Sequence, residues 1–507
     1  VKSSLNRLTK TRRGAGYGAF KEREKVVKLE RSDIQGLIFS AYSHLPCAAY
    51  LLLRIEDAAA AGQWLSAIAG EITTADNKQE NFSINLALTY CGLARLGLNR
   101  ATLNSFPIAF REGVASENRS RILGDTHENA PSGWDWGSDA DSIHFLLLVY
   151  GVDEKTLEVQ LQQRKAELTR AGGLVLVKEL SAGRQPDSKE HFGFADGIGQ
   201  PVIEGNDRHE RKQRARTNHA TVVKAGEFIL GYVNEYGTPT LGPIVEAAQD
   251  PRGFLPPYKV PADLRFSDQS ASKDLHDLGM NGSYLVFRQL AQDVAGFWKF
   301  LDAATLDQNN QSDAAARERL GAKFVGRWPS GAPLVLSPDR DDSRYKNEND
   351  FGFAATDRHG FACPVGSHIR RCNPRDSRGD DPSGSLQSVR RHRLMRRGRS
   401  YGHRISDKLV EDGAERGLHF ICINADIERQ FEFVQQTWIN NTVFGGLSGE
   451  TDPLAGNQDP ALCAGMMTVP DDPLRRRISN LRSFVTVKGG GYFFLPGIKA
   501  LRYLGVF

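Results

Sequence analysis

The sequence predicts an α+β protein in two parts, each an antiparallel sheet covered by helices on one face. Three observations predict it. Extended apolar runs alternate with stretches of helical periodicity. That strand–helix–strand rhythm occurs twice, on either side of a polar, glycine-punctuated stretch from residue 191 to 225. The chain has 507 residues, 40% hydrophobic and 25% charged, an ordinary globular composition with length for about three units, or two large ones joined by insertions. Wholesale disorder, collagen and coiled coil are excluded.

Residues 1–31, rich in Lys, Arg and Gly, read as a basic N-terminal arm. The first domain spans 32–225 with its linker. In it Ile34–Ser43 reads as a strand, Ala48–Ile55 as a second extended run, and Asp57–Ile72 as a helix with Trp64, Leu65, Ile68 and Ala69 at helical spacing. Phe82–Leu98 reads as a buried helix closing near Gly97. Trp134–Gly137 is a loop, Ile143–Val152 a strand, Glu154–Ala171 an amphipathic helix and Gly173–Leu180 a strand. His191–Gly205 reads as a connector and 206–225 as a basic surface loop. The second domain spans 226–507, with insertions. Glu227–Val233 and Gly282–Gln289 read as strands and Asp293–Leu306 as a helix. Residues 307–350 form a polar insertion. His419–Ala425 reads as a strand, Glu428–Asn440 as a helix, and Phe484–Lys488 with Gly491–Leu495 as a hairpin turning at Gly489-Gly490.

Lys and Arg number 65 against 61 Asp and Glu, leaving a formal charge of +4. That is too near neutral to mark a nucleic-acid partner by bulk charge. Six Cys in 507 residues do not make a disulfide scaffold. The longest apolar runs, Cys47–Leu53 and Ile143–Val152, fall far short of the ~18 residues of a membrane span. Arg12-Arg13 lacks the apolar stretch of a secretory signal. The expected compartment is the cytoplasm, with secretion the alternative if a precursor segment has been removed.

Common nucleotide and protease motifs fail: there is no Walker loop and no His-Glu-x-x-His, and Gly14–Gly18 follows no strand. His359, Cys363, His368 and Cys372 suggest zinc, but their spacing is wider than the usual Cys-x2-4-Cys pair. In Gly193-Phe194-Ala195-Asp196-Gly197, the glycines let backbone approach a flat ligand and set the direction of Asp196; taken alone, a plain Asp-Gly turn is the better reading. His368 opens His368-Ile369-Arg370-Arg371-Cys372-Asn373-Pro374-Arg375. The basic run Arg390–Arg399 lacks the interleaved aromatics of a nucleic-acid site, and Leu394-Met395 within it suggest that one flanking Arg points inward.

Together these three motifs, with Leu394-Met395-Arg396 followed by Tyr401-Gly402, resemble the dye-decolourising (DyP-type) haem peroxidases of the longer-chain class. Asp33–Gly36, Asn85–Leu93, Phe106–Gly113, Trp134–Gly137, Phe431–Trp438 and Asp452–Leu454 extend the resemblance over most of the chain. It implies two ferredoxin-like domains with haem b, iron protoporphyrin IX, between them. It implies an enzyme that reduces hydrogen peroxide and, through a ferryl intermediate, oxidises aromatic small-molecule reductants and bulky dyes, with no nucleic-acid partner. Carried over by position, His368 is the axial ligand of the iron, Asp196 the distal acid/base and Arg396 the distal arginine. Arg375 meets a haem propionate. Asp452 hydrogen-bonds the His368 ring nitrogen facing away from iron, with Glu450 the near competitor. Some relatives carry Asn two residues after the distal Arg; here that position is Gly398. Among 6 Trp and 13 Tyr, Trp438 and Tyr401 are the first candidates for relaying electrons from bulky dyes. The alternative is a haem-binding or haem-handling protein with incidental peroxidase activity; a cofactor-free basic-patch interaction protein is a third reading.

Overall fold

The computed structural model describes residues 27–77, 79–206, 222–259, 274–461 and 463–506. Most of the basic arm and most of the 206–225 loop lie outside them. The first half contributes β1 (Cys47–Ile55), α1 (Ala58–Ile68), β2 (Phe82–Leu88), β3 (Phe145–Gly151), α2 (Glu154–Ala171) and β4 (Leu174–Gly183). The strands run antiparallel in the order β4-β1-β3-β2, a ferredoxin-like βαββαβ unit. The second half contributes β5 (Ser283–Gln292), α3 (Val294–Ala303), α4 (Ala314–Val325), β6 (Met395–Arg396), β7 (Arg399–Tyr401), β8 (Gly417–Asn424), a π-helical segment over 428–439, and β9 (Val485–Leu495). β5 lies between β8 and β9, and β8 pairs with β6 and β7. If β6 and β7 count as one interrupted strand, this is the same order again. The two sheets meet at both edges: Phe494 faces Leu88, and Ser400 faces Gly183.

Local chemistry sets the ends of these elements. Asp57 and Asp153 cap α1 and α2 by accepting the N–H of Ala60 and Thr156, and Gly172 closes α2 in the left-handed region at φ 72°. β1 is buried on both faces. Ala48, Tyr50 and Leu52 point into a core shared with Leu148, Phe287 and Ile421, between the two sheets. Ala49, Leu51 and Leu53 pack with Trp64 and Leu65 of α1. A third core holds α3 and α4 against Phe192 and Phe194 of the connector.

Four expected elements differ. Ile34–Ser43 is a buried turn with a 3-10 segment at Gly36–Ile38, because the Gln35 amide substitutes for a ladder: it donates to Leu86 O and Pro496 O and accepts from Leu86 N. Phe82–Leu98 splits into β2 and a short helix, Tyr90–Arg95, capped by Thr89; a strand buried on both faces has no polar alternation to distinguish it from a buried helix. Glu227–Val233 forms no strand but a loop closed by Gly226 N–H donating to Val233 O. The expected hairpin at Gly489 is one strand with a register shift between Val487 and Gly489. A Cβ on Gly489 would lie 2.4 Å from Trp136 Nε1, so glycine there admits the indole rather than turning the chain. The polar insertion also contains a helix, α4.

Phe287 anchors the shared core, with ring centroids 5.6 Å from Tyr50, 5.0 Å from Trp136 and 5.4 Å from His419. Phe287→Ala is expected to lower unfolding free energy by about 3–5 kcal/mol, read by urea denaturation. A loss under ~1 kcal/mol would contradict a core shared by the two sheets.

Candidate active site

One cavity receives residues from both halves. Leu290, Leu418 and Phe420 line it from β5 and β8, and Val434 and Ile439 from the π-helical segment. His368, Asp196, Arg396 and Arg375 line the same cavity.

His368 begins a short helix, α5 (His368–Cys372). Five residues make a helix with little stability of its own, so its position comes from outside. The buried Arg371 guanidinium supplies it, donating to the carbonyls of Trp438 (2.7 Å), Asn441 (2.9 Å) and Glu450 (2.7 Å). His368 Nδ1 lies 2.9 Å from Asp452 Oδ2, while Asp452 Oδ1 accepts the N–H of Leu454 and Ala455. With Asp452 ionised, Nδ1–H donates to it and Nε2 carries the lone pair, with the Cys372 Sγ 3.6 Å away. Glu450 is engaged elsewhere, accepting from the N–H and hydroxyl of Thr468. Burial works to lower the His368 pKa, but the Asp452 anion, with a lesser part from Cys372, outweighs it and holds the imidazole well above its ordinary value. Conversely, burial raises Asp452, and His368 brings it below the usual carboxylate range.

Asp196 stands on the connector between two glycines in the left-handed region, Gly193 at φ 96° and Gly197 at φ 84°. The loop folds over the Glu190 carboxylate, which accepts the N–H of Phe192 and Phe194. Asp196 Oδ1 is 3.0 Å from Arg396 Nη2, and both side chains stay open to the cavity, at 49% and 30% exposure. Surrounding protein desolvates the carboxyl and would raise its pKa. Arg396, the Gly197 N–H and His368 overcome this and hold it below the ordinary value. Arg396 is fixed through its backbone, whose N–H donates to Gln200 Oε1 at 3.0 Å. At Gly398 a Cβ would come within 2.5 Å of His419 O, so this backbone leaves no room for the Asn some relatives carry.

Arg375 is buried, with its guanidinium 3.9 Å over Phe351. It donates to Asn349 O, Phe351 O and Asn349 Oδ1. Three further buried arginines at the cavity, Arg288, Arg327 and Arg393, were not singled out from sequence; the apolar Leu394-Met395 pair was the signal for Arg393. Arg288 pairs with Asp125. Burial first, and neighbouring guanidiniums after it, push Arg327 to about 10, Arg375 to about 9 and Arg393 to about 10. All three remain cations at neutral pH. His359 and Cys363 join no metal-ligating cluster among the described residues; Cys372 gathers instead with His368 and Asp452. Trp438 is buried and Tyr401 half-buried against His419; neither lines the cavity.

These residues fit a haem. Apolar walls suit a flat macrocycle, an imidazole nitrogen is available to iron, and buried arginines at the cavity suit carboxylates. No protein-family model matches the chain. A dye-decolorizing peroxidase of Mycena epipterygia is 30% identical over 469 residues, covering 85% of this chain and 77% of that protein. The chain belongs to the dye-decolorizing peroxidase family. A dye-decolorizing peroxidase of Auricularia auricula-judae is 28% identical, covering 93% of this chain and 86% of that protein. Among solved structures, an ancestral D-type dye decolorizing peroxidase matches with TM-score 0.72 at 28% identity, over 94% of this chain and 99% of that one. A fungal DyP-type peroxidase from Auricularia auricula-judae matches with TM-score 0.72 at 25% identity, over 94% of this chain and all of that one, 100%. The protein is therefore a haem-dependent peroxidase, an oxidoreductase. No helix among the described residues is long and apolar enough to cross a membrane.

In the haem-free chain, Asp452→Asn removes the main charge that raises His368, while burial, the largest single influence, still lowers it. The imidazole pKa is expected to fall from well above its ordinary value to below ~6.5, measured by NMR titration of the ring protons. An unchanged pKa would contradict the pairing.

Proposed function

We propose that the bound group is haem b, that His368 is its axial ligand, and that Asp196 and Arg396 assist O–O cleavage of hydrogen peroxide, with small aromatic reductants and bulky dyes as electron donors. The observation that carries this reading is a carboxylate–guanidinium pair and a carboxylate-held imidazole lining one cavity. When bound, haem supplies the metal that takes peroxide and the oxidising equivalents passed to the reductant.

The chain supplies orientation, charge and proton movement. Asp452 keeps the His368 ring oriented and electron-rich, so that Nε2 is a strong donor. Ionised Asp196 would take the proton from one peroxide oxygen and deliver it to the other, outer oxygen, the one that becomes water. Arg396 stabilises the negative charge developing on that outer oxygen. Because its pKa is depressed, Asp196 is a base throughout the mildly acid range and loses that role only as pH falls through its lowered pKa. Arg375 is read as a propionate partner through the donors its loop contacts leave unused. Trp438, next to the cavity-lining Ile439, and Tyr401 remain the proposed relay residues for dyes.

His368→Ala is expected to abolish or strongly weaken haem retention. Asp196→Asn and Arg396→Leu are expected to slow the Soret change after one equivalent of peroxide by at least about tenfold, with the larger loss at Arg396. Wild-type rates in both distal variants would overturn the mechanism. The wild-type peroxide step is expected to stay level with falling pH to about pH 4 and decline below it, while dye turnover peaks below about pH 5.5. Asp196→Asn should lack the acid decline; an identical decline in that variant would assign it to another group.

A further inference from the structure

We propose that Arg393 binds one carboxylate of the haem. The inference rests on the haem reading above and deepens it. Besides Arg396, four buried arginines line the cavity, Arg288, Arg327, Arg375 and Arg393, and they differ in what their donors already do. Arg288 has its own carboxylate, donating from Nη2 to Asp125 Oδ1. Arg327 donates from Nη1 to Gly331 O and Glu348 O and from Nη2 to Asn349 Oδ1. Arg375 is held the same way, Nη1 on two backbone carbonyls and Nη2 on the same Asn349 oxygen. These two brace a loop.

Among the described residues the Arg393 guanidinium makes one hydrogen bond, Nη2 to Gly199 O at 2.8 Å, and pairs with no carboxylate. It is buried, 9% exposed, and the charges that act on it are the cations Arg396 and Arg390. A buried guanidinium with like charges for neighbours and most donors unused is unfavourable unless an anion completes it. The fork of N–H groups matches a carboxylate, and the pair is charge-assisted. Haem brings two carboxylates, so it can engage Arg393 as well as the donors left on Arg375.

The backbone holds Arg393 ready for this. Its carbonyl accepts from Gln430 Nε2 at 2.8 Å, tying it to the π-helical segment. It stands three residues before Arg396, and the two residues clasp consecutive positions of the Asp196 loop: Arg393 at Gly199 O and Arg396 at Gln200 Oε1. Arg393 is thus a cofactor-positioning residue set beside the distal pair.

The test uses the full chain loaded with haem, as wild type, Arg393→Leu and Arg393→Lys. The rate of haem transfer to excess apomyoglobin and the propionate-bending region of the resonance Raman spectrum are recorded for each. Arg393→Leu is expected to lose haem at least about tenfold faster, with a shifted propionate band, and Arg393→Lys to fall between. A transfer rate within about twofold of wild type and an unshifted band in Arg393→Leu would overturn the proposal. If Arg393→Leu does not fold, Arg393→Gln replaces it under the same criteria. A wild type that takes up no haem would instead overturn the haem reading itself, so the two failures are distinguishable.

Discussion

The hydrogen bond between His368 and Asp452 decides which imidazole nitrogen faces the cavity, and the rest of the site is arranged around that choice. It can form only if two segments 84 residues apart are brought together. Arg371 does so, since its guanidinium gathers carbonyls from the end of the π-helical segment and from Glu450, two residues before Asp452. Asp452 is in turn immobilised by two backbone N–H groups. A five-residue helix therefore carries the imidazole with the precision of a larger element, because buried charge rather than helix propensity holds it.

The other half of the chemistry comes from the connector. Asp196 reaches Arg396 because the loop after β4 crosses to the second sheet, where Arg393 and Arg396 clasp Gly199 and Gln200. That crossing is short because the two ferredoxin-like sheets already meet, with Ser400 of β7 beside Gly183 of β4. The shared core of Tyr50, Phe287 and Ile421 thus does more than stabilise the fold: it sets the distance between a carboxylate from one half and a guanidinium from the other.

Much of this was legible in the sequence. The α2 helix has the expected bounds, and β1, β3, β4, β5 and β8 fall where apolar runs lie. Gly193 and Gly197 marked Asp196 as a directed carboxylate, and both adopt the positive φ that glycine favours. What failed were places where tertiary contacts replace local rules. Gln35 substitutes a side-chain amide for a strand, Gly489 accommodates Trp136 rather than turning the chain, and β2 is apolar on both faces. The arginines were hardest to read. In the run from Arg390 to Arg399 the sequence suggested one inward-pointing Arg, yet Arg393, Arg397 and Arg399 are all buried. Arg397 and Arg399 spend their donors on carbonyls of the 37–45 turn, and no sequence pattern announces a guanidinium that serves as backbone glue.

The account stands on His368 being the iron ligand and on Asp452 making it electron-rich. The most direct measurement is the iron–histidine stretching band in the resonance Raman spectrum of the ferrous protein, compared between wild type and Asp452→Asn. The account predicts a strong, high-frequency band in wild type that moves clearly lower when the carboxylate becomes an amide. A band at the same frequency in both proteins, or no iron–histidine band in wild type, would contradict it.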